Sequence, residues 1–280
     1  MRLKAIRDLT QLTDAGFFSE LHEGLRLCHA NAKRILDDVA ALTGQKRHRA
    51  AKMLQTVADE EAAKILILID AVRCPRSESQ LLTRQLAYFS DHLAKGLYAQ
   101  ACERRPCAFG EVRAWVERER KELYLDGPNG VDWIFYNDIL MRREQAMYVD
   151  YVAAEGNHWW HDPLIHDPLS GLDAVPSAVF RLVDAMAEAG FFAAAALATI
   201  AEVWRGVAME DGFSIHDLRA MNRVTWEKLE AKGLLLSVNS ALRGHIFAEW
   251  LFPLFALNLR VEEIPKADLE AERACFCPWL

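Results

Sequence analysis

The sequence predicts an all-α fold, and three observations carry that expectation. Apolar residues recur at spacings of three and four over long stretches, as in Leu21, Leu25, Cys28, Ala32, Ile35 and Val39. Glycine and proline fall between these stretches, at Gly44, Pro75, Gly190, Gly212 and Gly233. No strand-like alternation joined by hairpin turns occurs, nor any fixed-period repeat.

The elements follow in order. Phe17 to Leu42 is amphipathic, with His22, Arg26, His29 and Lys33 on a polar flank, and Thr43-Gly44-Gln45 stops it. Asn31 sits on an inner flank of this helix, where an amide bridges to a neighbour. Arg47 to Asp70 forms a second helix, built on Ala58-Asp59-Glu60-Glu61-Ala62-Ala63-Lys64 and the apolar run Ile65 to Ile69. On it Glu60 and Lys64 are four apart in the favourable order, so a solvated Glu–Lys pair is the plain reading. Ser77 to Lys95 is a third helix, Glu111 to Leu123 a fourth, and Val131 to Val152 a fifth, entered through the turn Asp126-Gly127-Pro128-Asn129-Gly130. Periodicity collapses between about Glu155 and Ser177. Helices resume at roughly 177–189, 191–209, 214–232 and 239–258, with Ser214 and Asp217 as an acidic capping box. The expected organisation is a helical part over 1–155, a Trp/His/Pro-rich linker over 156–176 and a C-terminal helical subdomain over 177–280.

The 280 residues are 52% hydrophobic and 26% charged, ordinary for a globular protein. A net charge of −7 excludes a global basic field, so any RNA contact rests on a local patch. The six cysteines show no disulfide framework, and Cys275-Phe276-Cys277 lacks a second pair to complete a zinc site. Met1 to Glu20 carries charges throughout, and the most apolar stretches are broken by Glu202, Glu249 or Pro253. A cytoplasmic protein without a membrane span is expected.

Several chemistries are disfavoured. There is no glycine-rich phosphate loop and no GxSxG elbow. Cys28 and His29 are adjacent on a helix and do not face one another. His158, His161 and His166 with Asp162 and Asp167 have metal-ligand chemistry, but their spacing is also that of a turn-rich linker pinned by Trp159-Trp160. No metal site and no cofactor are expected. A metal-dependent hydrolase built on these histidines is a third-ranked alternative.

The remaining constellation is Glu60, Glu61, Lys64, Arg84, His92, Lys95, Arg142, Arg143, Tyr148 and Asp150. It combines acid/base groups with cations that stabilise a phosphorane-like transition state, which suits metal-independent RNA cleavage. His92 and Lys95, three apart, share a helix face; Arg84 lies two turns earlier and rotated around the axis.

Taken together, Ala30-Asn31-Ala32, Asp59 to Lys64, Phe89-Ser90-Asp91-His92-Leu93-Ala94-Lys95, Tyr124-Leu125-Asp126-Gly127, and Arg143-Glu144 leading to Tyr148-Val149-Asp150-Tyr151 resemble the AbiV family of abortive-infection proteins, assigned to the HEPN-like superfamily. The resemblance covers about Gly24 to Tyr151. It implies an antiparallel helical bundle, a homodimer and a role in stopping phage propagation, with RNA or a phage or translation-related protein as partner. The Arg-to-His spacing usual in HEPN ribonucleases is absent here. A non-catalytic HEPN binding module therefore stands beside the ribonuclease reading. Under the latter, His92, Glu60, Glu61, Lys64 and Arg143 form the catalytic set. Arg84, Lys95, Arg142, Tyr148, Asp150 and Asn31 contribute to binding.

Overall fold

A computed structural model of the chain describes residues 5–122, 124–126, 132–134, 137–145, 147–154, 157–161, 176–237, 239–265 and 267–268. Helix α1 (Asp14–Gly44) starts where the Thr13 hydroxyl accepts from the Gly16 amide, and buries Phe17, Phe18, Leu21, Leu25, Cys28, Ala32 and Val39. Helix α2 (His48–Arg73) runs beside it, and from Ile65 to Arg73 every residue is buried. A helix hydrophobic all round needs neighbours on every side. It has them: α2 touches α1, then α3 (Ser79–Ala87) and α4 (His92–Ala101), and further along the chain α7 (Ala178–Ala189) and α8 (Ala194–Trp204).

The single helix expected over Ser77 to Lys95 is two helices. Between them Asp91 turns extended, at ψ 123°, and its carboxylate accepts from the Ala94 amide to cap α4. Helix α5 (Phe109–Glu119) follows, then the largest departure from expectation. Val131 to Val152 is not one helix. The described residues instead give strands β1 (Lys121–Glu122), β2 (Tyr124–Asp126) and β3 (Asp132–Ile134), the short helix α6 (Asp138–Gln145), and strand β4 (Asp150–Ala154). β2 pairs antiparallel with β3, and β4 with β5 (Asn157–His161), so short strands exist where none was expected. Residues 127–130 of the expected turn, and Val131 after them, lie outside the described residues. So do 162–175 of the linker, which hold Asp162, His166 and Asp167, and the tail with Cys275 and Cys277.

The later helices are α7, α8, α9 (Ile215–Ala231) and α10 (Ser240–Glu249), and β6 (Glu262–Glu263) pairs parallel with β1. The expected capping box is present: Ser214 accepts from the Asp217 amide, and Asp217 accepts from the Ser214 amide. Helix α7 ends at Gly190, whose φ of +91° is a left-handed conformation suited to glycine. Helix α10 stops at Glu249, before Pro253.

Packing runs straight across the division drawn in the sequence. Leu25 of α1, Ile67 of α2, Leu182 of α7, Leu197 of α8 and Trp226 of α9 belong to one hydrophobic cluster. The alanine- and leucine-rich face of α8 is spent on that core, with Ala196, Leu197 and Ile200 fully buried. His22 and His29 also cross the division: Nδ1 of His22 lies 2.8 Å from the Phe192 carbonyl, and Nε2 of His29 lies 2.8 Å from Asp184. Among the described residues no single helix is long and apolar enough to cross a membrane.

Candidate functional site

Glu60 is the hub of the polar cluster. Lys64 does not pair with it, as helical spacing suggested, but with Glu61 one residue on, and stacks over the Phe89 ring at 5.1 Å. Glu60 turns the other way, toward α4 and α6. One carboxylate oxygen accepts from Lys95 Nζ at 2.6 Å, the other from Arg143 Nε at 2.8 Å, and His92 Nδ1 lies 3.0 Å from both. Three helices thus meet on one carboxylate.

Local packing explains why Arg143 arrives there. A β-carbon on Gly96 would lie 2.2 Å from the Ile139 side chain, so α6 approaches α4 through a gap only glycine leaves. Ile139 and Arg143 are four apart and share a face of α6. Buried Asn137 fixes the start of that helix: its Oδ1 accepts from the Ile139 and Leu140 amides at 3.1 and 3.3 Å, and its Nδ2 donates to the Glu119 carbonyl.

The cluster is graded from inside to outside. Lys95 is 6% exposed, Glu60 13%, Arg143 28% and His92 47%, so His92 is the member presented to solvent. Burial alone would raise the Glu60 carboxyl, but hydrogen bonds and charge from Lys95 and His92 outweigh it and hold the group below its ordinary value. His92 Nδ1 also lies 3.2 Å from Lys95 Nζ, so this one ring nitrogen meets both the carboxylate and the ammonium of the cluster, and Nε2 takes no part in it.

The other predicted residues are dispersed. Glu61 and Lys64 form their own pair, and Asn31 accepts weakly from Arg34 at 3.4 Å within α1 rather than bridging to another helix. Arg84 donates to the Phe255 carbonyl at 3.2 Å, away from Glu60. Tyr148 is exposed. Arg142 lies on α6 and Asp150 on β4, with side chains outside the described ones. Trp160 is not a core plug: it is 68% exposed, its ring 5.1 Å from Tyr151. No group of metal-ligating side chains exists among the described residues. Burial pushes the Cys28 thiol up to about 11, which removes it as a nucleophile.

No protein-family model, curated protein or solved structure matches this chain. The site therefore stands on its own geometry.

Two polar features escaped the sequence reading. Asp70 and Arg73 are buried at the end of α2, and Asp59 links α2 to the start of α7. The Asp59 carboxylate accepts from Gln55 Nε2 at 2.8 Å and from Ser177, the residue that also caps α7. Burial nonetheless pushes Asp59 up to about 6 from an ordinary 3.8, those hydrogen bonds opposing it. The folded chain binds this proton more tightly than the unfolded one. The associated stability is complete below about pH 4 and lost as pH rises through 6. Asp59→Asn is accordingly expected to stabilise the protein at pH 8 by about 2 kcal/mol and to change little at pH 4. Thermal melts at both pH values check this; an equal effect at the two would show that ionisation is not the cause.

Proposed function

We propose that the chain is an AbiV/HEPN-like defence effector that cleaves RNA without a metal, at the site centred on Glu60. The observation that carries the reading is a half-exposed histidine whose inner nitrogen is bound by a buried carboxylate. In this reading Nδ1 donates to Glu60 and Nε2 serves as the general base. In this scheme Nε2 takes the proton of a ribose 2′-hydroxyl, whose oxygen attacks the adjacent phosphorus. The 5′-oxygen departs with a proton taken from solvent water, leaving a 2′,3′-cyclic phosphate. Arg143 spends Nε on Glu60, and the rest of its guanidinium supplies positive charge toward the phosphate. Lys95 is too enclosed to reach RNA and acts by balancing the carboxylate. Glu61 and Lys64 support the helix rather than the reaction.

A second reading has its own observation: all three cationic or cation-capable groups are already committed to one carboxylate. Under it the cluster is a clasp holding α2, α4 and α6 together in a non-catalytic protein that binds a phage or translation component.

Single-stranded RNA incubated with the purified protein in a metal chelator separates the two. Wild type is expected to leave cyclic-phosphate ends, and His92→Ala, with equal helix content by circular dichroism, to be slower by about 10²–10⁴-fold. Cleavage that survives the substitution would exclude His92. A wild-type protein inert on every RNA, with or without an extract of phage-infected cells, would leave the clasp.

A further inference from the structure

Away from Glu60, a cavity of about 460 Å³ opens between the N-terminal 3-10 turn (Ala5–Gln11), α3 and the segment after Phe255. Three arginines line it, Arg7, Arg84 and Arg260, together with Gln80, Thr83 and Asn258, and among the described residues no carboxylate does. That is unusual in a chain of net charge −7. Several other arginines are matched to carboxylates: Arg105 with Glu249, Arg113 with Asp211, Arg120 with Glu117 and Glu262, Arg205 with Asp14. Among the described residues, Arg7, Arg84 and Arg260 form no such pair, and the buried Nε of Arg84 has no hydrogen-bond partner. Three guanidiniums facing one space repel each other unless an anion joins them.

The walls are held in place. Arg84 Nη2 donates to the Phe255 carbonyl, Tyr88 donates to the Leu257 carbonyl at 3.2 Å, and the Tyr88 hydroxyl accepts from the Leu259 amide at 3.1 Å. Asn258 and Arg260 are therefore pinned beside α3 before any ligand arrives. Asn258 Oδ1 accepts from the Arg260 amide at 3.3 Å, which leaves its Nδ2 as a donor.

We infer that this cavity binds the phosphate chain of a nucleoside triphosphate, held by Arg7, Arg84 and Arg260. Guanidinium forks match phosphate oxygens in pairs, and three of them suit a polyphosphate better than a single phosphate. The volume falls within the roughly 300–1,000 Å³ of ligand pockets. No aromatic ring lines it, so the base is not stacked and recognition rests on the phosphates. ATP and GTP should then bind alike. The site shares no residue with the Glu60 cluster and does not depend on the ribonuclease reading.

Calorimetric titration of the full chain tests it, with ATP, GTP, inorganic phosphate and a short RNA lacking a 5′-triphosphate as separate arms. ATP and GTP are expected to bind with similar affinity, more tightly than phosphate, and less so as salt rises. Replacing the two exposed arginines together, Arg7→Gln with Arg260→Gln, should weaken ATP binding by about 100-fold, while His92→Ala should not change it. Failure of ATP to bind, binding unchanged in the double variant, or RNA binding that ATP does not displace would each overturn the assignment.

Discussion

Asp70→Ala is expected to lower stability by about 3–5 kcal/mol. Asp70 is fully buried, and each of its oxygens is used. Oδ1 accepts from both Nε and Nη2 of Arg73; Oδ2 accepts from the Tyr98 hydroxyl at 2.5 Å and from the Leu254 amide at 2.6 Å. The Tyr98 hydroxyl in turn accepts from Gln85, which also donates to the Ile67 carbonyl, both at 2.9 Å. Arg73 lies over the adjoining rings of Trp204 and Trp250, at 4.8 and 5.0 Å, and donates to the Leu251 carbonyl at 3.1 Å. Removing the carboxylate leaves a guanidinium, a hydroxyl and an amide without their acceptor in a dry core. That loss, rather than the small volume change, sets the cost. Urea denaturation checks the figure. The double variant Asp70→Leu with Arg73→Met separates the contributions: it should recover the part due to the stranded guanidinium, while the part due to the Tyr98 hydroxyl and the Leu254 amide, still without an acceptor, remains. A single-variant loss below about 1 kcal/mol would show that water reaches Arg73.

Glu60→Ala should be the most damaging change at the candidate site, for both stability and activity. It strands Lys95, an ammonium 6% exposed, and frees His92 to turn. A loss of about 2–3 kcal/mol is expected, less than at Asp70, because Arg143 and His92 can relax into solvent. The low Glu60 carboxyl also fixes the pH dependence. Its contribution is present above the unfolded-state value and fades as pH falls through the lower folded one, so the variant and wild type should converge in acid. Glu60→Leu combined with Lys95→Met distinguishes the two functional readings. Both predict recovered thermal stability. The ribonuclease reading predicts that RNA cleavage stays lost, since nothing orients His92; the clasp reading predicts that protection against phage returns with the fold.

The helical architecture was legible wherever a local rule applied over many residues. The faces of α1 and α2, the cap at Ser214 and the stop at Gly190 all follow from spacing and residue type within one or two turns. The break at Asp91 was not, because apolar spacing continues from Leu82 through Leu93 and hides a cap inside the pattern. The strands between Lys121 and His161 are two to five residues long, too short for alternation to register. His158 to His161 pair as a strand with β4, a pairing set by a segment that the linker composition did not reveal.

At the site, sequence alone determined that acidic and basic side chains stand at the edge of a buried helix, because a 3.6-residue repeat decides which positions share a face. It also offered Lys64 two carboxylates, one three residues back and one four. Only the tertiary structure decided between them: Gly96 admits α6, Asn137 anchors it, and Arg143 and Lys95 then hold Glu60 across the gap. The same holds for Asp70, which in sequence merely ends an apolar run and in the fold meets Tyr98 and the Leu254 amide, 28 and 184 residues away. Periodicity is written into neighbouring residues, whereas the partner of a buried charge is set by whichever distant segment the core brings against it.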